Sequence, residues 1–424
     1  MCTHAARRRP RAGQRGQSLV FVLAFLAVLV AVFVASVESG RAVVDQQRLV
    51  NAADAAALGA ATWQARTLNA QAYMNRAIVA NEVAIAQAVS LRSWSDYLRQ
   101  TLANVRTLTS AVPYVGAATQ AVANGWTAAD RTIQVSARAV EASASTVEQI
   151  LAGAQEAVNA LGPVAAAEIA RATLRAHSPE IAPSAEHARL EALNVLDWRG
   201  FTVSYAGSGR ERLRATVLDA RDGFTRSRSH RLGTGPLSPV LRVEKRGGTE
   251  LLGFEAWRGL DTLSIHRRSG FLFGRFREQV PLGWGGAEDA LRPSRLPGDH
   301  DGTWRVNPSA SGLADRALRA HGRAAIHPGL PATRDVREPW RRDERRLSYA
   351  VEAELRRANS APAPRARALA HAVVEFARPE PRADGRREYP SLYSPYWRAR
   401  LAPVTARQRV LVRGPLDPFA AVAP

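Results

Sequence analysis

The sequence lacks several things that enzymes and secreted domains commonly use. It has one cysteine, Cys2, so no intramolecular disulfide can form and stability must come from packing. It has one lysine, Lys245; every other member of its 58 cationic side chains is arginine. That bias reads as GC-rich coding rather than selection for phosphate, so the net charge of +20 does not by itself point to nucleic acid. No histidine pair has HExxH spacing, there is no GxSxG elbow, and no glycine loop leads into Lys-Ser or Lys-Thr. Gly207-Ser208-Gly209 and Gly233-Thr234-Gly235 stand alone, and His321 and His327 lie six apart in a polar stretch. Asp299-His300-Asp301 is the densest set of ligand-type residues, but Pro297, Gly298 and Gly302 around it make it a turn. No catalytic residue, cofactor, metal or small-molecule substrate follows, and an enzyme is not expected.

Charge is also missing from one long stretch. Leu19 to Val37 holds 19 uncharged residues: fourteen Leu, Val or Phe, four Ala, and Ser36. As a helix it spans about 28 Å, matching a hydrocarbon core of about 30 Å. The fourteen strongly apolar side chains favour insertion by about 4–8 kcal/mol at most. Arg7, Arg8, Arg9, Arg11 and Arg15 precede the span, whereas Glu38 and Arg41 after it cancel. The N-terminus is therefore expected to stay in the cytosol, with everything after about residue 40 exported. A cleaved secretory signal has a shorter apolar region, and Ala35-Ser36-Val37 is a poor cleavage site.

Around that span the residues become specific. Arg15-Gly16-Gln17-Ser18-Leu19-Val20 leads in, Gly40-Arg41 and Gln47-Arg48-Leu49 follow, and then comes Asn51-Ala52-Ala53-Asp54-Ala55-Ala56-Ala57-Leu58-Gly59-Ala60. Together and in this order they resemble the N-terminal module of the Tad/Flp pilus-assembly proteins of the TadE/TadG-like type, over about residues 15–61. The resemblance implies a component of a pilus or secretion machine in the bacterial inner membrane, crossing it once, whose partners are other components of that machine. Processing, if it occurred, would fall between Gly16 and Gln17. Glycine-processed pseudopilins carry glutamate at the fifth mature position, which is Phe21 here, so a retained leader and a permanent anchor are implied. Larger relatives carry a DxSxS metal site; Asp261-Thr262-Leu263-Ser264 has the wrong spacing. Alanines at 52, 53, 56, 57 and 60, with Gly59, make a thin helix just outside the membrane that a neighbour can approach closely, and Asn51 and Asp54 share one of its faces.

The remainder reads as α+β: a transmembrane helix (17–40) after a basic leader (1–16), a helical hairpin stalk (41–178), and a β-rich extracytoplasmic domain (179–424). In the stalk, helical spacing persists from 42 to 110 and breaks at Pro113 and Gly116. The second helix, from about Ala117 to Leu161, carries a heptad seam of Trp126, Ile133, Val140, Val147, Ala154 and Leu161, with Ala137, Ala144, Leu151 and Val158 between, and Asp130 as the exception. The seam either closes the hairpin or binds another protein; the hairpin is preferred. Gly162-Pro163 should end this helix, with a shorter one over Ala165–Ala176. Beyond 178, hairpins are expected from 201–205 with 213–218 and from 240–244 with 250–257 across Gly247-Gly248. Strands are expected at Ala370–Phe376 and Arg409–Val412, and irregular chain at 281–346. A C-terminal run from Tyr389 to Pro403 gathers aromatics among prolines. Tyr393, Tyr396 and Trp397 there are candidate partner contacts, although sealing the β core is the preferred reading. The alternative function is an anchored extracytoplasmic protein whose basic C-terminal part touches an acidic wall or surface polymer. An extracytoplasmic hydrolase rests on length and loops alone.

Overall fold

A computed structural model describes residues 17–112, 114–270, 274–337, 346–356, 366–386 and 388–413. It is a mixed helix and sheet structure with a long apolar N-terminal helix and a β-rich C-terminal region. In chain order its elements are α1 (Gln17–Thr109), α2 (Val115–His177), β1 (Ile181–Pro183), α3 (His187–Phe201), β2 (Thr202–Tyr205), α4 (Glu211–Ala220), α5 (Gly223–Arg226), β3 (His230–Leu232), β4 (Leu241–Leu252), β5 (Ala256–Arg268), β6 (Phe276–Asp289), α6 (Thr303–Val306), α7 (Pro308–Ala317), β7 (Arg323–Ala324), β8 (Thr333–Val336), β9 (Leu347–Leu355), β10 (Arg367–Phe376), β11 (Trp397–Leu401) and α8 (Ala406–Arg413).

The 93 residues of α1 run without interruption from the apolar span into the body. The chain then turns back and α2 packs along α1. Pro113, expected to break the helix, lies outside the described residues; Gly116 sits in the first turn of α2, its amide donating to the Val112 carbonyl at 3.0 Å. The expected end at Gly162-Pro163 is not observed: α2 continues through Pro163 to His177. A proline inside a helix costs about 3 kcal/mol. Burial of Ala166, Ala167, Ala170 and Leu174 beyond it offsets that cost. Gly162 has a different task. A Cβ there would lie 2.6 Å from the Trp198 ring of α3, so only glycine lets this tryptophan bury itself against α2.

Three sheets flank the helix pair: β1-β9-β10-β11 and β2-β8, both antiparallel, and β3-β4-β5-β6-β7, antiparallel except for β6 with β7. The first core joins the alanines of α1 and the end of α2 to Tyr349, Val351, Ala370, Ala372 and Val374 of β9 and β10. The second joins Ile78, Ile85 and Val89 of α1 to Leu213, Val217, Leu251 and Trp257. Both cores therefore share α1.

Several local expectations are corrected. Residues 213–218 are not a strand but part of α4, because Leu213 and Val217, four apart, are its buried pair; β2 pairs with β8 instead. Gly247-Gly248 is not a turn. β4 runs straight through it to pair with β5, and the reversal comes at Gly253, whose φ is 64°. Residues 409–412 are helical: Thr405 and Gln408 exchange side-chain-to-backbone hydrogen bonds at 2.8 and 3.3 Å, a capping box that starts α8. Of the stretch 281–346, expected to be irregular, the described residues 281–337 hold the end of β6, α6, α7, β7 and β8. Its glycines mark a crossing: a Cβ on Gly285 would lie 2.5 Å from the Ser93 carbonyl oxygen, so β6 can press directly on α1 only without one. β10 forms where a strand at 370–376 was expected. Asp299–Gly302 is a turn, with His300, Asp301 and Gly302 at φ of 44°, 56° and 76°.

Candidate functional site

The first 30 residues of α1 bury almost nothing. Every large apolar side chain from Leu19 to Val34 is at least half exposed. A core helix of a soluble protein would hide such residues; this one is long and apolar enough to cross a membrane. The Ser36 hydroxyl, the one polar side chain between Leu19 and Val37, donates to the Val32 carbonyl at 2.8 Å, which satisfies it without water. Gly16 lies outside the described residues, and Gln17 is the first residue of α1.

The alanine segment behaves differently. Ala52, Ala53, Ala56, Ala57, Ala60 and Ala61 are fully buried, against α2 and the β9–β10 face of the same chain. The close approach permitted by small residues is thus made within the chain. Gly59 faces Ile169 and Thr173 of α2. Asn51 stays exposed and Asp54 half-buried, where partial burial raises its carboxyl pKa.

The C-terminal aromatics also turn inward. Trp397 is 3% exposed, with its ring edge-on to Phe201 and Phe376 at 5.4 and 5.3 Å and its indole N–H donating to the Ser391 carbonyl. It is therefore a core residue and not a free partner contact. The Asn69 side chain exchanges two hydrogen bonds with the Trp397 backbone, at 2.9 and 3.0 Å, tying this segment to α1. Tyr396 packs on Phe376 and under the Arg378 guanidinium. Tyr393 lies beneath Arg212, and burial pushes its hydroxyl up to about 12.

The hairpin seam differs from the apolar heptad. Val140 and Val147 are 43% and 41% exposed and Leu161 is 64% exposed, so this position lies on the outer flank of α2. The seam proper carries Asp130, Ala137, Glu141, Ala144, Glu148, Gln155 and Gly162. Counting apolar residues alone misplaces it, because four of its members are polar, and three of these find hydrogen-bond partners on α1. Gln155 donates to Asn75 at 2.6 Å, Arg92 donates to both Glu141 oxygens at 3.0 Å, and Ser95 donates to Asp130 at 2.7 Å. Burial pushes the Glu141 carboxyl up to about 7, against the pull of Arg92. Between these layers Glu82 and Glu148 meet, joined by His327 from the chain between β7 and β8. These three are the described residues best placed to hold a metal. Nothing in their spacing along the chain shows it. The visible clue is that Asn75 and Glu82, like Glu141, Glu148 and Gln155, repeat in sevens on helices that are otherwise rich in alanine.

The sole lysine has a specific place. Lys245 is 2% exposed, 2.6 Å from Asp261 and 4.4 Å from the Tyr97 ring centroid. Burial alone would raise the Asp261 carboxyl, but Arg228 and Lys245 beside it hold it below the usual carboxylate range. With Arg228 already occupying one side of the carboxylate, a compact ammonium fills the other.

A single bare apolar helix feeding an alanine-lined hairpin defines a class: a protein with a candidate membrane anchor and a large folded body at one end of it. Within that class, residues 16–65 match the family model "Putative Flp pilus-assembly TadE/G-like", which supports a role in pilus assembly. The match covers the bare helix and the alanine segment, and stops within the first core, before Ile78 where α1 enters the second. No curated protein and no solved structure matches the chain.

Proposed function

We propose that this protein is a TadG-like component of a Tad/Flp-type pilus-assembly or secretion machine, anchored once in the bacterial inner membrane. Its N-terminus is cytosolic and its bulk extracytoplasmic. The observation that carries the reading is the coincidence of the family match with the bare part of α1 and the alanine segment after it. Apolar side chains that meet no protein in their own chain are free to meet lipid and the helices of other subunits. The exposed Asn51 and half-buried Asp54 continue that contact line outside the bilayer.

A second surface supports contacts further out. From Thr132 to Val164 the outer flank of α2 presents Ser136, Ala139, Val140, Ser143, Val147, Ile150, Ala157 and Leu161 without one charge, in a protein that is 23% charged. An uncharged strip of small and apolar side chains is what a neighbouring helix packs on. Deleting the gene in an organism with an intact Tad system tests the role: pilus assembly or secretion should fail and return with the wild-type gene, and unchanged assembly would sink the reading. Protease added outside stripped cells should digest the bulk of the chain.

A further inference from the structure

We propose that Glu82, Glu148 and His327 bind a divalent transition-metal ion, with Zn2+ as the probe, as a structural clamp between the two hairpin helices and the sheet-bearing body. Their donor atoms all lie within 4.8 Å of one another, one residue coming from α1, one from α2 and one from the chain between β7 and β8. All three are at most 1% exposed. Trp257 donates its indole N–H to Glu82 Oε2 at 2.8 Å, which fixes that carboxylate. Glu82 Oε1, both Glu148 oxygens and both His327 ring nitrogens have no hydrogen-bond partner. Buried polar atoms are nearly always paired, so five unpartnered atoms on three residues, with one donor atom from each converging, call for something to fill the space between them.

The contrast with the neighbouring layers identifies the missing charge. Several other buried carboxylates have cations beside them: Glu141 has Arg92, Asp261 has Arg228 and Lys245, Glu288 has Arg258, and Asp335 has Arg212, while Asp289 accepts from two backbone amides instead. Among the described residues no arginine or lysine pairs with Glu82 or Glu148, although arginine is abundant in this chain. Two dry carboxylates this close share either a proton or a cation. A shared proton would leave the imidazole unserved, since His327 Nε2 is 3.7 Å from Glu82 Oε2, beyond hydrogen-bond reach. A dication balances both carboxylates and uses the imidazole as well. One nitrogen and two carboxylate donors suit Zn2+, which takes four ligands and can complete its set with water, whereas Ca2+ needs six or more oxygens. The loop is already held: Asp289 accepts hydrogen bonds from the Ile326 and His327 amides at 2.9 and 3.0 Å.

The test uses the full chain in detergent, stripped with a chelator and then titrated with ZnCl2 by calorimetry and followed by thermal unfolding. One equivalent should bind and raise the Tm, and Co2+ in its place should give the visible absorption of a four-coordinate ion. Glu148→Gln removes a ligand without removing volume or adding charge, so it should fold; it and His327→Gln should each weaken Zn2+ binding by about 100-fold or more. The proposal fails if the stripped wild type takes up no Zn2+, or if both variants bind it as tightly. It fails equally if Glu148→Gln raises the Tm of a protein that does not respond to metal, since the pair then holds a proton.

Discussion

Two stretches of one helix obey opposite rules. From Leu19 to Val37, α1 carries its most apolar residues and exposes them all; from Leu49 to about Thr101 it is rich in alanine, glutamine, asparagine and serine, and buries many of them together with Arg92. In water the reverse is expected of both. The difference shows that the second stretch is selected for size and pairing: alanines bring α2 and the β9–β10 face close, while Asn75, Arg92 and Ser95 meet matched groups across the seam. The first stretch is long and apolar enough to cross a membrane, which on our reading is the surrounding it is built for.

The sharpest way to break the contrast is to make the two stretches alike. Replacing Leu26 and Val30 together by arginine should abolish membrane retention, at about 3 kcal/mol per charge near a bilayer centre, while leaving the outer body folded. Fractionation together with circular dichroism measures both halves of that statement. Next in size is Arg92→Met, which strands the fully buried Glu141 and should cost about 3–5 kcal/mol in unfolding free energy; adding Glu141→Leu should recover most of it. Gly285→Ala, which drives a methyl group into the α1 backbone, should cost about 1–3 kcal/mol.

A pH series sharpens the contrast further. Because Glu141 is raised from 4.5 to about 7 in the folded state, folding takes up a proton there. Its stabilisation is complete below about pH 4.5 and is lost as pH climbs to about 7, at about 1.4 kcal/mol per pH unit. Glu141→Gln should flatten that part of the Tm profile. The smallest stability effect is expected on the outer flank of α2. Leu161→Ser should change stability by less than about 0.5 kcal/mol. On our reading it should nonetheless impair assembly, which complementation of a deletion strain would score.

Much of the helical framework was legible in the residues, because a 19-residue uncharged run and long helical spacing are strong signals. The hairpin seam was legible only in part. Apolar counting found Ala137 and Ala144 but placed Val140, Val147 and Leu161 inside, since it could not credit buried acids and amides whose partners sit on another helix. Short elements were misread where two periods overlap: Leu213 and Val217 fit a strand face as well as a helical i,i+4 pair. Glycines read as signs of turns and loops in sequence, but at 247, 248 and 285 they mark places where other groups press close on a strand. The cluster of Glu82, Glu148 and His327 was hidden because only the folded topology brings three distant positions together.

The unbroken course of α1 carries a mechanical consequence. Some 72 residues separate Val37 from Thr109 without a helix break, a shaft of about 105 Å from the bilayer edge to the hairpin tip. With the span in a bilayer, a tilt of about 20°, ordinary for a membrane helix, would sweep that tip sideways by about 35 Å. Both cores include residues of the shaft, so the body would swing with it.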